Sequence, residues 1–409
     1  MAHQRDKDPI LVLGRGLHRP WNEGTRLIAR DVARAASTLR PVHVVSLTHE
    51  QFRTSPSDRL HIRHVYTQFP YGAWGDYVAL PRIARTIQAL HTGSRIGVAH
   101  LIGIPLALAP WLRRHGIRIV AHVPLAEHSY RDPAERMRAA LGWRIFDRWV
   151  DAYACTSEHV RAQLAALGYP AAKLRSVPAP VDLQAFQRAD RAAACAALGL
   201  PAGDFVVAYM GTISPLRFPA HAVLRALCIA ADDIPNLRLA VCAPVTTHPY
   251  NVAWASGHLR QAISASGLPA SLELRDLTEE QKIALYSAAD VVLLPFSAPV
   301  AVEPPLTLLE AMACQALVVA APAANRSRIV VDGANGATFD SPEELAVRLK
   351  QLHTLLAPQR AALGAAARAT VVEQHSFTAV TRALAATWAA LEAQETGATA
   401  NMRKIDGVF

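Results

Sequence analysis

Residues Pro295 to Ala320 read PFSAPVAVEPPLTLLEAMACQALVVA, and Val291-Val-Leu-Leu294 stands immediately before them. Two short apolar runs, Val291–Leu294 and Leu317–Ala320, flank a segment in which apolar residues recur at helical spacing from Pro305 to Ala313. Apolar run, helix, apolar run is the pattern of a strand–helix–strand unit, whose parallel strands are buried on both faces. Pro304–Pro305 suits a helix start, where a missing N–H costs nothing. The amides of Leu306, Thr307 and Leu308 are then expected to point outward from a positive helix end, an arrangement that suits a diphosphate. Glu310 lies one to two turns in. A carboxylate there can accept two hydrogen bonds from a vicinal diol such as the hydroxyls of a ribose. Taken alone, the same residues also describe an ordinary surface helix.

The alternation extends outward in both directions. The first half predicts strands at Ile10–Gly14, Val42–Leu47, His61–Val65, Val98–Ile102, Ile117–Val123, Ala152–Cys155 and Leu174–Val177, with helices at Thr25–Leu39, Tyr77–His91, Leu106–His115 and Glu158–Leu167 between them. The second half predicts strands at Phe205–Met210, Leu237–Cys242, Leu272–Leu274, Val291–Leu294, Leu317–Ala320 and Ala337–Phe339. Its helices fall near Phe218–Ala231, Ser256–Ser266, Glu279–Ala288, Pro305–Ala313 and Pro342–Leu356. The pattern restarts after Phe186–Asp204, which carries Pro201 and Gly203, so the domain boundary is placed there. The expected architecture is α/β, with two doubly wound, Rossmann-like domains, residues 1–190 and 200–375. Ligands are expected at the carboxyl ends of the strands and in the cleft between domains. The alanine-rich tail from Ala361 predicts two helices with a break near His375–Ser376, the second covering 376–396.

Composition narrows the classes. The chain has 409 residues, 51% hydrophobic, with 21 glycines and 27 prolines, which excludes disordered and fibrous proteins. Five cysteines, widely spaced and without a CxxC pair, point to a reducing compartment rather than a disulfide or zinc-ribbon scaffold. Residues 1–200 hold 27 Lys+Arg against 15 Asp+Glu, a balance of +12; residues 201–409 hold 15 against 18, a balance of −3. A basic half can meet nucleic acid, anionic lipid or an acidic substrate, or be no more than a solvated surface. No helix-turn-helix, zinc-finger or RNA-binding signature supports nucleic acid. Residues Arg131–Val150 mix arginines with Trp143, Phe146 and Trp149 without a one-sided apolar stripe, which predicts a packed helix rather than one lying on a membrane. No apolar leader or spanning segment is evident, so a cytoplasmic protein is expected, with peripheral contact to the inner face of a membrane as an option.

The segment LLEAMACQALVVA resembles the donor-binding signature LEAMACGTPVVA of the family 4 retaining glycosyltransferases. The likeness continues in order along the chain. Tyr209-Met-Gly-Thr-Ile-Ser-Pro-Leu-Arg217 resembles that family's G-R-L-x-x-x-K strand and loop, and Leu285–Pro295 resembles the stretch ahead of its signature. Thr156-Ser-Glu158 and Pro178-Ala-Pro-Val-Asp182 resemble the end of its N-terminal domain. The resemblance implies a GT-B fold, with two domains facing a cleft and C-terminal helices returning to the N-terminal domain. There are departures. That family has two glutamates separated by seven residues. Glu310 matches the second, but Val302 stands at the first and Glu303 one place later. Either the loop shifts so that Glu303 substitutes, or the sugar-contacting carboxylate is gone. Thr212 stands where the family has a diphosphate-binding arginine, and Arg217 where it has lysine. Arg217 could still neutralise the diphosphate, with bidentate geometry. Gln315 replaces a usual glycine.

The same resemblance assigns the remaining candidates. Gly24, in the loop Asn22-Glu-Gly-Thr25, best matches the family's glycine-rich loop before the first helix. Gly14-Arg-Gly16 alone does not make a G-x-G-x-x-G dinucleotide motif. His122, at the end of a strand, matches a histidine beside the donor sugar, although a lone strand-end histidine is often structural. Glu127, His128 and Arg131 follow in the same loop and are candidates for the acceptor side. Backbone near Asp276–Thr278 is the candidate for the base. The activity implied is a retaining, hexosyltransferase-type transfer from a nucleotide-diphosphate sugar to a hydroxyl of a glycan, a lipid-linked or a small-molecule acceptor, in cell-surface glycan or glycolipid synthesis. The leaving diphosphate would take the acceptor's proton. No cofactor is implied, and no HxxxH or HExxH motif suggests a metal. The alternatives are a weak or inactive homologue that binds nucleotide sugar as a partner or scaffold, and a GT-B epimerase.

Overall fold

The computed structural model describes residues 8–18, 21, 23–50, 61–69, 73–124, 143–244, 255–299 and 302–406. Seven parallel strands form the first sheet: β1 (Ile10–Arg15), β2 (Val42–His49), β3 (Ile62–Thr67), β4 (Val98–Ile102), β5 (Arg118–Val123), β6 (Ala152–Cys155) and β7 (Leu174–Ser176), in the order β3-β2-β1-β4-β5-β6-β7. Six parallel strands form the second: β8 (Phe205–Met210), β9 (Leu237–Ala243), β10 (Ala270–Leu274), β11 (Val291–Leu294), β12 (Val318–Ala320) and β13 (Ala337–Thr338), in the order β10-β9-β8-β11-β12-β13. Both sheets therefore reverse direction of winding once, between β1 and β4 and between β8 and β11. Those are the crevices where doubly wound sheets bind ligands.

Register follows from burial. In β1, Ile10 and Val12 face one side of the first sheet, and Leu11 and Leu13 the other, and all four are fully buried. The Leu11–Leu13 side is covered by α2 (Ala73–Gly93), α3 (Ala109–Arg114) and α4 (Glu158–Ala166). The opposite side packs on α1 (Gly24–Ser37) and on a core continuous with the second domain. There Glu23 caps α1, its carboxylate accepting from the amides of Thr25 at 3.0 Å and Arg26 at 3.2 Å. In the second domain, α6 (Ala220–Ala231) packs on α10 (Pro342–Thr354), and α9 (Leu306–Ala313) on α11 (Ala357–His375).

The last helix, α12 (Phe377–Asp406), crosses back to the first domain and lies along α1. Val380, Leu384, Trp388 and Leu391 bury themselves in the shared core, and Arg40 ties to Glu392 at 3.0 Å. The turn into α12 is fixed by Val181, whose amide donates to the His375 carbonyl at 2.9 Å, and by the His375 ring on the Ala179 carbonyl. Phe186–Asp204, where the sequence places the domain boundary, holds the helix α5 (Arg191–Ala197), capped by the Asp190 side chain on the Ala193 amide. Residues 131–142 of the Arg131–Val150 segment lie outside the described residues; Trp143 stacks on Tyr169 with ring centroids 3.9 Å apart.

Candidate active site

The second domain's share of the site begins at the end of β8. Tyr209 is buried, and its hydroxyl donates to the Thr212 carbonyl at 2.8 Å, drawing the loop back over the strand end. That loop closes in a helical turn: the amides of Arg217 and Phe218 donate to the Ser214 carbonyl at 3.1 and 2.8 Å. Ser297, just beyond β11, donates its amide to Leu216 at 2.8 Å. Arg217 is thus held at the β8/β11 crevice. Burial lowers its pKa, while the charge of Glu23 works the other way. Thr212 is held through its carbonyl, on the same loop.

Helix α9 starts at Leu306 with Pro305 as its cap. The amides of Leu308 and Leu309 both donate to the Pro305 carbonyl, at 3.0 and 3.3 Å. This corrects the expectation that Leu308 presents a free amide, because the first turn closes tightly on a residue that itself has no N–H. Leu306 and Thr307 keep amides without a backbone acceptor among the described residues. Seven of the eight residues of α9, Glu310 among them, are buried.

Glu310 is not an exposed carboxylate. One oxygen accepts from the Tyr286 hydroxyl at 2.9 Å and the other lies 3.9 Å from Lys282 Nζ. Burial pushes its pKa up, and the Lys282 charge opposes that. Lys282 and Tyr286 stand four residues apart on α8 (Glu279–Ala288), hence on one face of it. Sequence reasoning passed over both, although the i, i+4 spacing of a lysine and a tyrosine in the helix before β11 was there to be noticed. Each carboxylate oxygen has more than one lone pair, so Glu310 retains capacity to accept from a ribose. Asp276 lies in the loop between β10 and α8, at the carboxyl end of the sheet.

The first domain reaches into this region through the loop after β1. Lys282 Nζ donates to the Trp21 carbonyl at 2.9 Å. Arg30 of α1 makes a fork on Asp31, at 2.7 and 2.9 Å, and also reaches Glu279 of α8 at 2.6 Å. Gly24 faces Val302: a Cβ at Gly24 would stand 3.0 Å from the valine Cγ2. Val302, which occupies the place of the first glutamate, is therefore packed against the glycine loop. Glu303 is turned aside. Its carboxylate accepts from the Ser327 amide at 2.8 Å and from the Ser327 hydroxyl. Its backbone bridges the domains, the amide donating to the Pro124 carbonyl at 2.8 Å and the carbonyl accepting from Thr156 Oγ1 at 2.5 Å. A cavity of about 640 Å³ opens beyond Ser327, lined from the two domains by residues including His159, Arg326 and Arg328.

His122 is the last residue but one of β5, two residues before Pro124, and is buried. Its Nε2 lies 2.7 Å from Nδ1 of His100, and burial holds its pKa down to about 3. Glu127, His128 and Arg131 lie outside the described residues. Among the described residues no cluster of three or more His, Cys, Asp or Glu could hold a metal ion, and no helix is long and apolar enough to cross a membrane.

Comparison with known proteins bears on the family and the fold. The family model described as Glycosyltransferase Family 4 matches residues 24–185, and the one described as Glycosyl transferases group 1 matches residues 205–354. The chain belongs to the family 4, group 1 glycosyltransferases. Among relatives of this family, a D-inositol 3-phosphate glycosyltransferase of Segniliparus rotundus is 31% identical over 322 residues, covering 75% of this chain and 65% of that one. The Mycolicibacterium gilvum protein of the same name is 30% identical over 230 residues, covering 56% and 49%. The chain thus spans between about a third and two thirds of the length of the curated relatives it matches. Among solved structures, Anabaena HepE in complex with UDP and glucose superposes with a TM-score of 0.73 at 18% identity, covering 93% of this chain and 99% of that one. A sucrose-phosphate synthase from Thermosynechococcus elongatus gives 0.74 at 18%, covering 95% and 100%. These likenesses establish the GT-B fold.

Proposed function

We propose that this chain transfers a glycosyl group, with retention of configuration, from a nucleotide-diphosphate sugar to an acceptor hydroxyl. The observation that carries the reading is the convergence at one crevice of Arg217, the open amides of Leu306 and Thr307, and the buried carboxylate of Glu310. A cation and helix amides suit a diphosphate, and a carboxylate one to two turns deeper suits a ribose. The Gly24 loop meets the second domain at Val302, and His122 lies two residues before Pro124, whose carbonyl accepts from the Glu303 amide. The neighbour HepE is a UDP and glucose complex, which supports UDP-glucose as the first donor to test.

The sugar's anomeric C–O bond breaks with its electron pair passing to the diphosphate. The acceptor oxygen bonds to the same carbon from the same face, and its proton goes to the departing phosphate oxygen. Arg217 and the α9 amides stabilise the negative charge that develops there, and the protein contributes chiefly position and electrostatics. The +12 balance of residues 1–200 fits an anionic acceptor. The relatives' names make D-inositol 3-phosphate the first acceptor to try, and a lipid-linked phosphate at an anionic membrane the second. Donor hydrolysis and transfer are assayed with UDP-, GDP-, ADP- and dTDP-sugars, with Glu310→Ala and Arg217→Ala as controls. Turnover with one donor, lost in both variants, supports the reading. Donor binding without turnover, with any acceptor, overturns it in favour of a nucleotide-sugar-binding partner.

A further inference from the structure

Trp388, His100 and His122 form a hydrogen-bonded chain. His100, in the middle of β4, and His122, near the end of β5, lie on the same face of the first sheet, because Ile102 pairs with His122 and His100 with Val120. That face carries α1 and α12. His100 is completely buried, His122 is 7% exposed and Trp388 is 2% exposed. His100 Nδ1 is 2.7 Å from His122 Nε2, and His100 Nε2 is 2.9 Å from the indole nitrogen of Trp388.

Only one assignment of protons satisfies these contacts. An indole N–H donates and cannot accept. His100 Nε2 is therefore the acceptor and unprotonated, so the proton of the neutral ring sits on Nδ1 and is donated to His122 Nε2. His122 Nε2 is then an acceptor too, and the remaining proton of His122 lies on Nδ1. That nitrogen is buried and has no partner among the described residues. Burial keeps both rings neutral, with His100 also held well below its ordinary value. A buried N–H without a partner is uncommon in a folded protein, and an oxygen of a bound ligand is one group that would satisfy it. Here it lies two residues from Pro124, whose carbonyl meets Glu303 of the other domain. Because the chain ends in an indole, it has no place to put a proton taken from substrate. His122 is a fixed donor and not a base.

We propose that Trp388 and His100 are positioning residues that lock His122 in its Nδ1–H form, so that it presents one hydrogen-bond donor to an oxygen of the sugar being transferred. The ligand in this statement rests on the glycosyltransferase reading; the locked ring does not. It also gives a functional reason for α12 to return across the molecule, since Trp388 comes from that helix.

The test uses the full-length chain, labelled with ¹⁵N, and long-range ¹H–¹⁵N correlation of the imidazoles at neutral pH, with His122→Gln to assign the signal. Wild type is expected to show His122 protonated on Nδ1 only. Trp388→Phe keeps the aromatic bulk and removes the N–H; it is expected to populate the Nε2–H form of His122 and to lower kcat about tenfold with donor KM within about twofold, the range in which outer partners of a site residue act. His100→Leu is expected to lower kcat about 100-fold. His100→Asn can place an N–H where Nδ1–H stood, and should restore both the tautomer and most of kcat. A wild-type His122 protonated on Nε2 overturns the proposal, and so does a Trp388→Phe variant that shifts the tautomer without changing kcat. If no donor turns over with the wild type, the glycosyltransferase reading fails, while the spectrum alone still decides whether Trp388 and His100 lock the ring.

Discussion

The two domains hold their site residues by opposite means. In the second, Glu310 is a buried charge, kept by Lys282 at 3.9 Å and the Tyr286 hydroxyl at 2.9 Å. In the first, His122 is a buried neutral ring, kept by His100 and, through it, by Trp388. A charged cluster is strong only while every member is present, since removing one leaves the others desolvated and unpaired. A neutral chain is weaker contact by contact, but it fixes direction and is little screened by salt. Under the proposed reading the contrast matches two tasks: holding the ribose of a nucleotide on one side, and orienting an uncharged sugar on the other. It also implies that the two sides should fail differently when disturbed.

The largest effect belongs to the charged side. Lys282→Met leaves Glu310 without its cation and the Trp21 carbonyl without its donor. We expect a loss of about 3–5 kcal/mol in folding stability, as for one partner of a buried pair, read as a shift in the urea midpoint at constant m-value. A midpoint within experimental error of wild type would mean that Glu310 carries no charge in the folded chain. Next is Arg217→Ala, for which kcat/KM should fall about 100- to 1,000-fold with little change in stability, the cost of removing one transition-state electrostatic contact. Arg217→Lys should recover part of that loss, because the charge remains and the fork does not. An Arg217→Ala enzyme within fivefold of wild type would remove Arg217 from the diphosphate site and leave the α9 amides as the principal contact.

The neutral side predicts a pH dependence of stability. His122 is held down to about 3, His375 to about 4 and His100 well below its ordinary value, each chiefly by burial. An unfolded histidine titrates near 6.5. Between about pH 4 and 6.5 the unfolded chain therefore binds protons that the folded chain does not, so stability is fully present above pH 6.5 and falls as pH drops. Each ring adds a slope of up to about 1.4 kcal/mol per pH unit. Urea midpoints at pH 7.5, 6.0 and 5.0 measure this, and a His122→Gln variant should flatten the curve. A midpoint that rises toward pH 5 would show that these rings are charged in the folded state.

Much of the scaffold could be read from the chain. Val98–Ile102, Ala152–Cys155, Phe205–Met210 and Val291–Leu294 appear in the structure with the ends expected, because a strand buried on both faces is an unbroken apolar run with sharp borders. Helix Arg191–Ala197 was hidden between Phe186 and Pro201, since seven mostly alanine residues carry propensity but little periodicity. Glu310 and Arg217 announced themselves by motif. Lys282 and Trp388 did not: Lys282 reaches Trp21 across 261 residues and Trp388 reaches His100 across 288, and no local pattern encodes such a meeting. The Leu308 amide was misjudged for a subtler reason. Whether a first-turn amide stays open depends on the ψ of the residue before it, and Pro305 adopts a value that turns its carbonyl onto Leu308 and Leu309.

The smallest effect separates scaffold from chemistry on the charged side. Gln315 follows the Cys314 cap of α9 with φ at +58°, the left-handed conformation in which a helix commonly ends on glycine. A side chain there costs roughly 1–2 kcal/mol, of which glycine's extra freedom in the unfolded chain returns part. Gln315→Gly should therefore stabilise the protein by about 0.5–1 kcal/mol. The side chain plays no part in the site described above, so kcat and KM should stay within about twofold of wild type. A stabilised protein with unchanged kinetics would show that α9 tolerates relief at its far end while Glu310 and the amides of Leu306 and Thr307 keep their places. A drop in kcat alongside the gain would instead mean that the strained turn helps to set the helix, tying the charged side of the cleft to a backbone conformation that glycine relaxes.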